Sequence, residues 1–136
     1  MFPASTRGGG TCFAFPDVCK VPTSFGSVPV PFPNTARCSN ATASSCTARV
    51  KIKNKAVLHE GSEIPSTSGD EAGTLKGVVS GTTGDKAVFK SSVSKVLVEG
   101  NQIVTQLSQT AHNGSNANAP AGAQLSPSQT TVIVRP

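Results

Sequence analysis

Apolar and polar residues alternate along three stretches of this chain. No stretch of eleven or more residues carries the apolar spacing of a helix face without a Gly or Pro interrupting it. "ARVKIKNKAVLHEG" (48–61) places Val50 and Ile52, then Ala56 and Leu58, on either side of a turn-like "KNK". "SKVLVEGNQIVTQLS" (94–108) does the same around "EGN", where Gly100 supplies a positive φ for the turn. "QTTVIVRP" (129–136) is a third β-rich run, closed by a proline that cannot extend a ladder. The pattern predicts an all-β protein.

The two hairpins are copies of one unit. Residues 49–62 set over 95–108, a constant offset of 46, match Val50 to Val96, Ile52 to Val98, Val57 to Ile103, Leu58 to Val104 and Ser62 to Ser108. "TVIV" (131–134) repeats the outgoing strand "KVLV" of the second hairpin, and the chain ends there, so a third unit lacks its returning strand. The N-terminal segment around Phe13, Phe15 and Val18 is expected to supply it. Three related units, one closed by the two chain ends, give a body with pseudo-threefold symmetry.

The rest of the chain is rich in Gly, Pro, Ser and Thr. Five of the ten prolines fall in "FPDVCKVPTSFGSVPVPFPN" (15–34). Prolines fix φ and lower the entropy lost on folding, so residues 1–47 are expected to form a stiff, polyproline-like strap. Residues 48–108 hold the two repeated hairpins, and 109–136 a loop and the closing strand, all in one domain. In the Gly-rich loop 66–86, Asp70, Glu71 and Asp85 read as turn caps and solvated charges.

A net charge of +5 spread along the chain, with no Arg-rich run, argues against a nucleic-acid partner. No apolar run spans a bilayer and the start carries no secretory leader, so synthesis and storage in the cytoplasm are expected. No G-x-S-x-G and no phosphate loop is present, and an enzyme is not expected. Metal chemistry has better material. Four cysteines and two histidines offer thiolate and imidazole, which suit Zn²⁺ in a closed structural site. The repeat puts His112 just past one hairpin, and Cys19 just past the proposed N-terminal returning strand, so the two are expected to meet at one end of the body. His59 reads equally as a surface strand residue. Cys38 and Cys46 read as loop thiols, or as a disulfide formed after export.

"FPDVCKVPTSFGSVPVPFPNTA", "GSEIPSTSGDEAGTLKGVVSG", "SSVSKVLVEGNQIV" and "APAGAQLSPSQTTVIV" resemble the PAAR-like family of spike-tip proteins, found in type VI secretion systems, phage tails and related contractile injection systems. The "PDVCK…PVPxPN" and "STSGDEAG" stretches are the most specific; the P-A-A-R tetrapeptide itself is absent. The resemblance implies a small conical body that caps a trimeric spike of the VgrG type or a phage hub, one copy per trimer. It implies a role in sharpening the tip for membrane puncture and in anchoring effectors, with delivery outside the cell on firing and only brief contact with the target membrane. It also implies a structural Zn²⁺ near the apex, with Cys19 and His112 as ligands; His59 and Cys12 complete the expected set. Such a metal would staple the strap to the hairpins and substitute for a large core. No toxin domain is expected after "VIVRP". The rival readings are a free-standing metal- or ligand-binding β-module and a small zinc hydrolase.

Overall fold

Both expected hairpins form. The computed structural model describes residues 2–135, and its strands are β1 (Phe2–Pro3), β2 (Thr11–Thr23), β3 (Gly26–Arg37), β4 (Lys51–Ile52), β5 (Lys55–Ala56), β6 (Glu63–Ile64), β7 (Ala87–Phe89), β8 (Val93–Val98), β9 (Asn101–Ile103), β10 (Gln109–His112), β11 (Ala119–Ser126) and β12 (Ile133–Val134). β4 pairs with β5 and β8 with β9, in equivalent registers: Lys51 opposite Ala56 matches Leu97 opposite Gln102, and Ile52 opposite Lys55 matches Val98 opposite Asn101. The turns take positive φ at Lys53 and Asn54 in one hairpin and at Glu99 and Gly100 in the other.

The third unit is also closed by the two chain ends, but by a different segment from the one expected. β12 pairs with β1, Phe2 facing Val134 and Pro3 facing Ile133. Residues 13–18 lie elsewhere, in β2. With Val134 set over Val98 and Ile52, the residues at or just past the end of each returning strand align as Ala4-Ser5-Thr6, Val57-Leu58-His59 and Ile103-Val104-Thr105. Three bridges join these segments in a cycle: Ala4 with Thr105, His59 with Ile103, and Thr6 with Val57. A closed ring of backbone hydrogen bonds follows the same cycle. Ser5 N–H donates to Val104 O (3.0 Å), Val104 N–H to Leu58 O (3.5 Å) and Leu58 N–H to Ser5 O (3.0 Å). One step further out, Arg7 donates to Ala56, Glu60 to Gln102 and Gln106 to Pro3, each at 2.9 Å. The apolar core between the hairpins is likewise one residue per unit: Ala4, Val57 and Ile103 in one layer, Ile52, Val98 and Val134 in the next.

Past the ring the symmetry is lost. The chain builds a six-stranded antiparallel sheet in the order β3-β2-β11-β10-β7-β6. Its apolar cluster holds Leu58, Val104, Ile64, Phe89 and three of the cysteines, Cys12, Cys38 and Cys46. Here the expected strap is corrected. Residues 11–37 form a long β-hairpin, and β3 is the edge strand. Pro29, Pro31 and Pro33 sit at alternate positions, so all three present their N–H-less nitrogens to the open edge. Thr35 continues that parity, and its N–H points outward to Ser68 O (2.7 Å). "VPVPFP" is thus an edge that cannot accept another strand. β10 and β11, assigned to loop by their Ala, Gly and Pro content, are held in the sheet by their neighbours on both sides.

One irregularity positions the site. The β2–β3 register slips between Ala14 and Asp17, at Phe15–Pro16. Before the slip the buried residues of β2 are Cys12 and Ala14; after it they are Asp17 and Cys19. An extra residue in one strand reverses which side chains face inward. The bulge therefore turns a carboxylate and a thiol into the protein.

Candidate functional site

Asp17 and Cys19, brought inward by the bulge, meet residues from three other segments. Asp70, Asn34, His112 and Asn113 are fully buried with them, and Asn118 nearly so. Asn34 comes from β3, Asp70 from the "GDEAG" loop, and Asn113 and Asn118 from the loop between β10 and β11. Gly73 allows the approach: a Cβ on it would lie 2.3 Å from Cys19 Cβ.

Asp17 is the centre. Asn34 Nδ2 donates to its Oδ2 at 2.9 Å, Asn113 Nδ2 to Oδ1 and Oδ2 at 3.1 and 3.3 Å, and Asn118 Nδ2 to Oδ1. The amide orientations are fixed from behind. Asn113 Oδ1 accepts from Asp85 N–H (3.1 Å), and Asn118 Oδ1 from Val79 N–H (2.7 Å). Burial alone would raise the Asp17 carboxyl, but hydrogen bonds with Asp70, Asn118, Asn113 and Asn34 outweigh it and hold it below the ordinary carboxylate range. Asp70 is the opposite case. Burial first, and then the neighbouring Asp17, push it up to about 7. Its Oδ2 accepts from Gly84 N–H (3.1 Å), while its buried Oδ1 has no hydrogen-bond partner. Burial and the Asp17 charge push the Cys19 thiol up to about 12.

Cys19 Sγ lies 3.5 Å from Asp17 Oδ1 and 3.9 Å from Asp70 Oδ2. Asp17, Cys19 and Asp70 offer one ligand atom each, all within 4.8 Å of one another, and among the described residues they form the one cluster of three or more such groups. Sulfur at ~2.3 Å and oxygen at ~2.1 Å around a tetrahedral Zn²⁺ are about 3.6 Å apart, so the observed separations fit a cation. The unpartnered Asp70 oxygen fits one as well.

The expected ligand set is not assembled. Cys19 is in the cluster. His112 reaches it only through other side chains: its Nδ1–H donates to Asn34 Oδ1 (2.7 Å), and its Nε2 accepts from the Thr110 hydroxyl (2.8 Å). Both ring nitrogens are engaged, which leaves no lone pair for a metal. Burial pulls His112 down to about 4, against a smaller upward pull from Asp17, so the ring is neutral. His59 is a turn residue of the hairpin ring. Its Nδ1 accepts from Gly61 N–H (3.0 Å), as Thr6 Oγ1 accepts from Gly8 N–H (3.1 Å) in the related unit. Cys12 lies on the other side of the bulge, in the apolar cluster with Cys38, whose hydrogen bond, with burial, raises its pKa. Cys38 and Cys46 are buried there too, and all four cysteines are free thiols. Sequence reasoning missed Asp17, Asp70 and the three asparagines. Glu71 does cap Gly69 N–H and Asp85 caps Lys86 N–H, as turn residues do; Asp70 beside them is the buried one. The available signal was that "PDVCK", "PFPN" and "GDEAG" all belong to the stretches that carry the family resemblance.

No helix among the described residues is long and apolar enough to cross a membrane, and no solved structure matches the chain. The chain is 35% identical over 112 residues to the DNase toxin Tse7 of Pseudomonas aeruginosa, an alignment covering 77% of this chain and 28% of that protein. This relative overturns the expectation that no enzyme is involved, since its name is that of a nuclease; the chain spans just over a quarter of its length. The toxin PAAR-like domain model matches residues 10–119, from the Gly-rich turn before β2 to the first residue of β11, so the bulged hairpin, the "GDEAG" loop and the asparagine cage fall inside the match and the chain belongs to the toxin PAAR-like family.

Proposed function

We propose that this chain is the spike-docking part of a toxin delivered by a type VI secretion system. In this reading its three-hairpin end seats on the tip of a trimeric VgrG-type spike, one copy per trimer. The observation that carries the reading is the closed ring through Ser5, Leu58 and Val104. A single chain has spent its two ends and an internal repeat on imitating a threefold surface, and such a surface is useful against a partner that has a true threefold axis. The hairpins also present apolar residues at related positions. Val50 and Val132 are 38% and 39% exposed, and Leu97 and Ile133 are 60% and 48% exposed. Short hairpins with such residues suit stacking on the β-structure of a spike.

The toxic activity enters through the relative. A DNase toxin that shares this region supports a role in carrying a nuclease, with delivery outside the producing cell when the spike fires. A secretion effector is favoured over a phage tail tip for the same reason. A structural Zn²⁺ is proposed at Asp17, Cys19 and Asp70 rather than at the histidines. In the metal-free site, protons on Cys19 and Asp70 balance part of the buried negative charge. A divalent cation replacing both leaves the net charge of the site unchanged, which makes the exchange electrostatically mild even in a dry interior.

The docking proposal is tested by native mass spectrometry of this protein mixed with its cognate spike. One copy per trimer is expected. Three copies per trimer, or no complex, would overturn it. Replacing Leu97 and Ile133 together by Asp should abolish the complex while leaving the isolated fold intact by circular dichroism.

A further inference from the structure

The three hairpins provide an internal control for one another, because the fold asks the same of each. Their outward-facing positions nevertheless differ in charge. In the β4–β5 hairpin they are Lys51, Lys53 and Lys55. The equivalent residues of the β8–β9 hairpin are Leu97, Glu99 and Asn101, and in the β12–β1 hairpin Ile133 and Arg135 match Lys51 and Lys53, while Phe2 matches Lys55. The residue that donates its backbone N–H to each hairpin's returning strand differs in the same sense. It is Arg7 at the first, Glu60 at the second and Gln106 at the third. One hairpin has therefore gathered four cations at positions where its copies carry two acids, one other cation and otherwise neutral residues. The fold does not require them there.

Three of these cations line a recess. A cleft of about 490 Å³ is lined by Arg7, Ser39, Lys51, Asn54, Lys55 and Ala56, with no acidic residue among them. Arg7 is set in place: its Nε–H donates to Ala41 O at 2.9 Å, which pins the guanidinium against the 38–46 segment and leaves its terminal nitrogens for another acceptor. The one side-chain ion pair among the described residues joins Lys86 to Glu63, so Arg7, Lys51 and Lys55 have no carboxylate partner. A second cleft, which shares Lys55, is lined among others by Thr6, Lys53 and Ser128 and again contains no acid. A pinned, half-buried arginine, two lysines and short hydroxyl and amide donors converging without a counter-charge match the needs of a dianionic oxyanion. Arg recognises phosphate oxygens with paired N–H groups, and Lys adds mobile point charges.

We propose that this cleft, formed by Arg7, Ser39, Lys51, Asn54 and Lys55, binds a phosphate group, either free or on a lipid headgroup. The site lies on the flank of one hairpin. Lys51 stands at the position of Leu97 and Ile133, so the cleft adjoins the proposed spike-facing end, but a true trimer offers the same surface to all three hairpins and gives no reason for charge on only one.

The test uses the full chain labelled with ¹⁵N. Inorganic phosphate and pyrophosphate are titrated at constant ionic strength, with chloride as the reference. Saturable shifts at Lys51, Asn54, Lys55 and the Arg7 side-chain N–H are expected. The exposed double variant Lys51→Gln/Lys55→Gln should weaken binding roughly 10-fold or more, because charge-assisted bonds carry most of such recognition. A second arm measures co-sedimentation with phosphatidylcholine vesicles with and without phosphatidic acid. Retention on phosphatidic acid vesicles, lost in the double variant, assigns the phosphate to a headgroup. Saturable phosphate binding without vesicle retention assigns it to a free ion. Shifts that do not saturate, that spread evenly over all lysines, or that persist in the double variant would overturn the site.

Discussion

Asn113 donates its side-chain amide to Asp17 at 3.1 Å across 96 residues of chain. That contact and its neighbours tie the bulged strand β2 to the loop between β10 and β11, to β3 through Asn34 and to the "GDEAG" loop through Asp70. Long loops in a small protein are costly to order. Here the long "GDEAG" loop and the shorter 113–118 connection are ordered by converging on one carboxylate.

Asp17→Asn removes the charge and sets an amide NH₂ against three others, two oriented by backbone donors and Asn34 by the His112 ring. A buried polar group left unsatisfied, with its network broken, costs several kcal/mol, and a loss of roughly 3–5 kcal/mol is expected. Thermal or urea unfolding measures it. A loss below about 1 kcal/mol would mean that the cage forms around something other than the carboxylate.

His112 makes stability fall in mild acid. The unfolded side chain takes its proton near pH 6.5, whereas burial holds the folded one to about 4. Between those values the unfolded state binds more protons, so stability drops as pH falls through this window, by roughly 2 kcal/mol at pH 5 and about 3 kcal/mol once both states are protonated. Asp70 acts in the opposite sense, because its raised pKa favours the folded state at low pH and that contribution disappears as pH rises toward 7. The two are separated by His112→Gln. The parent's advantage in urea midpoint over this variant should shrink as pH falls from 7 to 4, because only the parent carries the His112 contribution while Asp70 acts in both. Parallel curves would exclude His112 as the source.

The repeat was legible in the sequence because each hairpin carries its own apolar alternation and turn, and a local pattern needs no knowledge of the rest of the chain. The third unit was legible only by half. "TVIV" shows its relation to "KVLV", but the two-residue partner Phe2–Pro3 is too short to have a period. The proline segment was misread for a physical reason. Pro at every second position is compatible with a polyproline helix, and equally with an edge strand whose outward N–H groups are not needed; the choice rests on whether a neighbour such as β2 is present. The cage was the least legible part. Asp17 faces inward only because the register slips at Phe15–Pro16, and strict alternation from Cys12 and Ala14 would have pointed it outward.

The edge reading of "VPVPFP" predicts self-association when the prolines are removed. Pro29→Thr, Pro31→Thr and Pro33→Thr together restore three outward N–H groups to a long, partly exposed strand. The folded monomer should lose only about 0.4–1 kcal/mol per proline, yet sedimentation velocity should show concentration-dependent dimers or larger species. A triple variant that stays monomeric at high concentration would show that the flanking loop already covers the edge.

Gly73→Ala tests how tightly the "GDEAG" loop lies against the thiol. The new methyl would fall 2.3 Å from Cys19 Cβ and 3.2 Å from the Phe32 ring. Backbone must move on one side or the other, at a cost of roughly 1–3 kcal/mol. The loss should shrink in Cys19→Gly/Gly73→Ala, where the obstructing Cβ is gone. An unchanged loss in the double variant would place the strain elsewhere.

The cation site gives the last prediction, and it separates the observed cluster from the histidine set that the sequence suggested. If Zn²⁺ binds, Cys19 and Asp70 supply ligands only after losing their protons, and their pKa values of about 12 and about 7 set the proton count. Well below pH 7, loading should release two protons per metal; above pH 8, where Asp70 is already ionised, it should release one. Calorimetry in buffers of different ionisation enthalpy counts them, and elemental analysis gives the occupancy. Cys19→Ser and Asp70→Asn should each lower both occupancy and melting temperature. His59→Ala should leave the occupancy unchanged, because its ring serves Gly61 in the hairpin turn. His112→Gln separates indirect from direct support: its ring reaches the cluster only through Asn34, so metal should persist in it with weaker affinity. Metal absent from protein purified without chelators, with no uptake on adding Zn²⁺, would leave Asp17, Cys19 and Asp70 as a proton-linked cage alone. Metal lost in His59→Ala and kept in Asp70→Asn would return the site to the histidines.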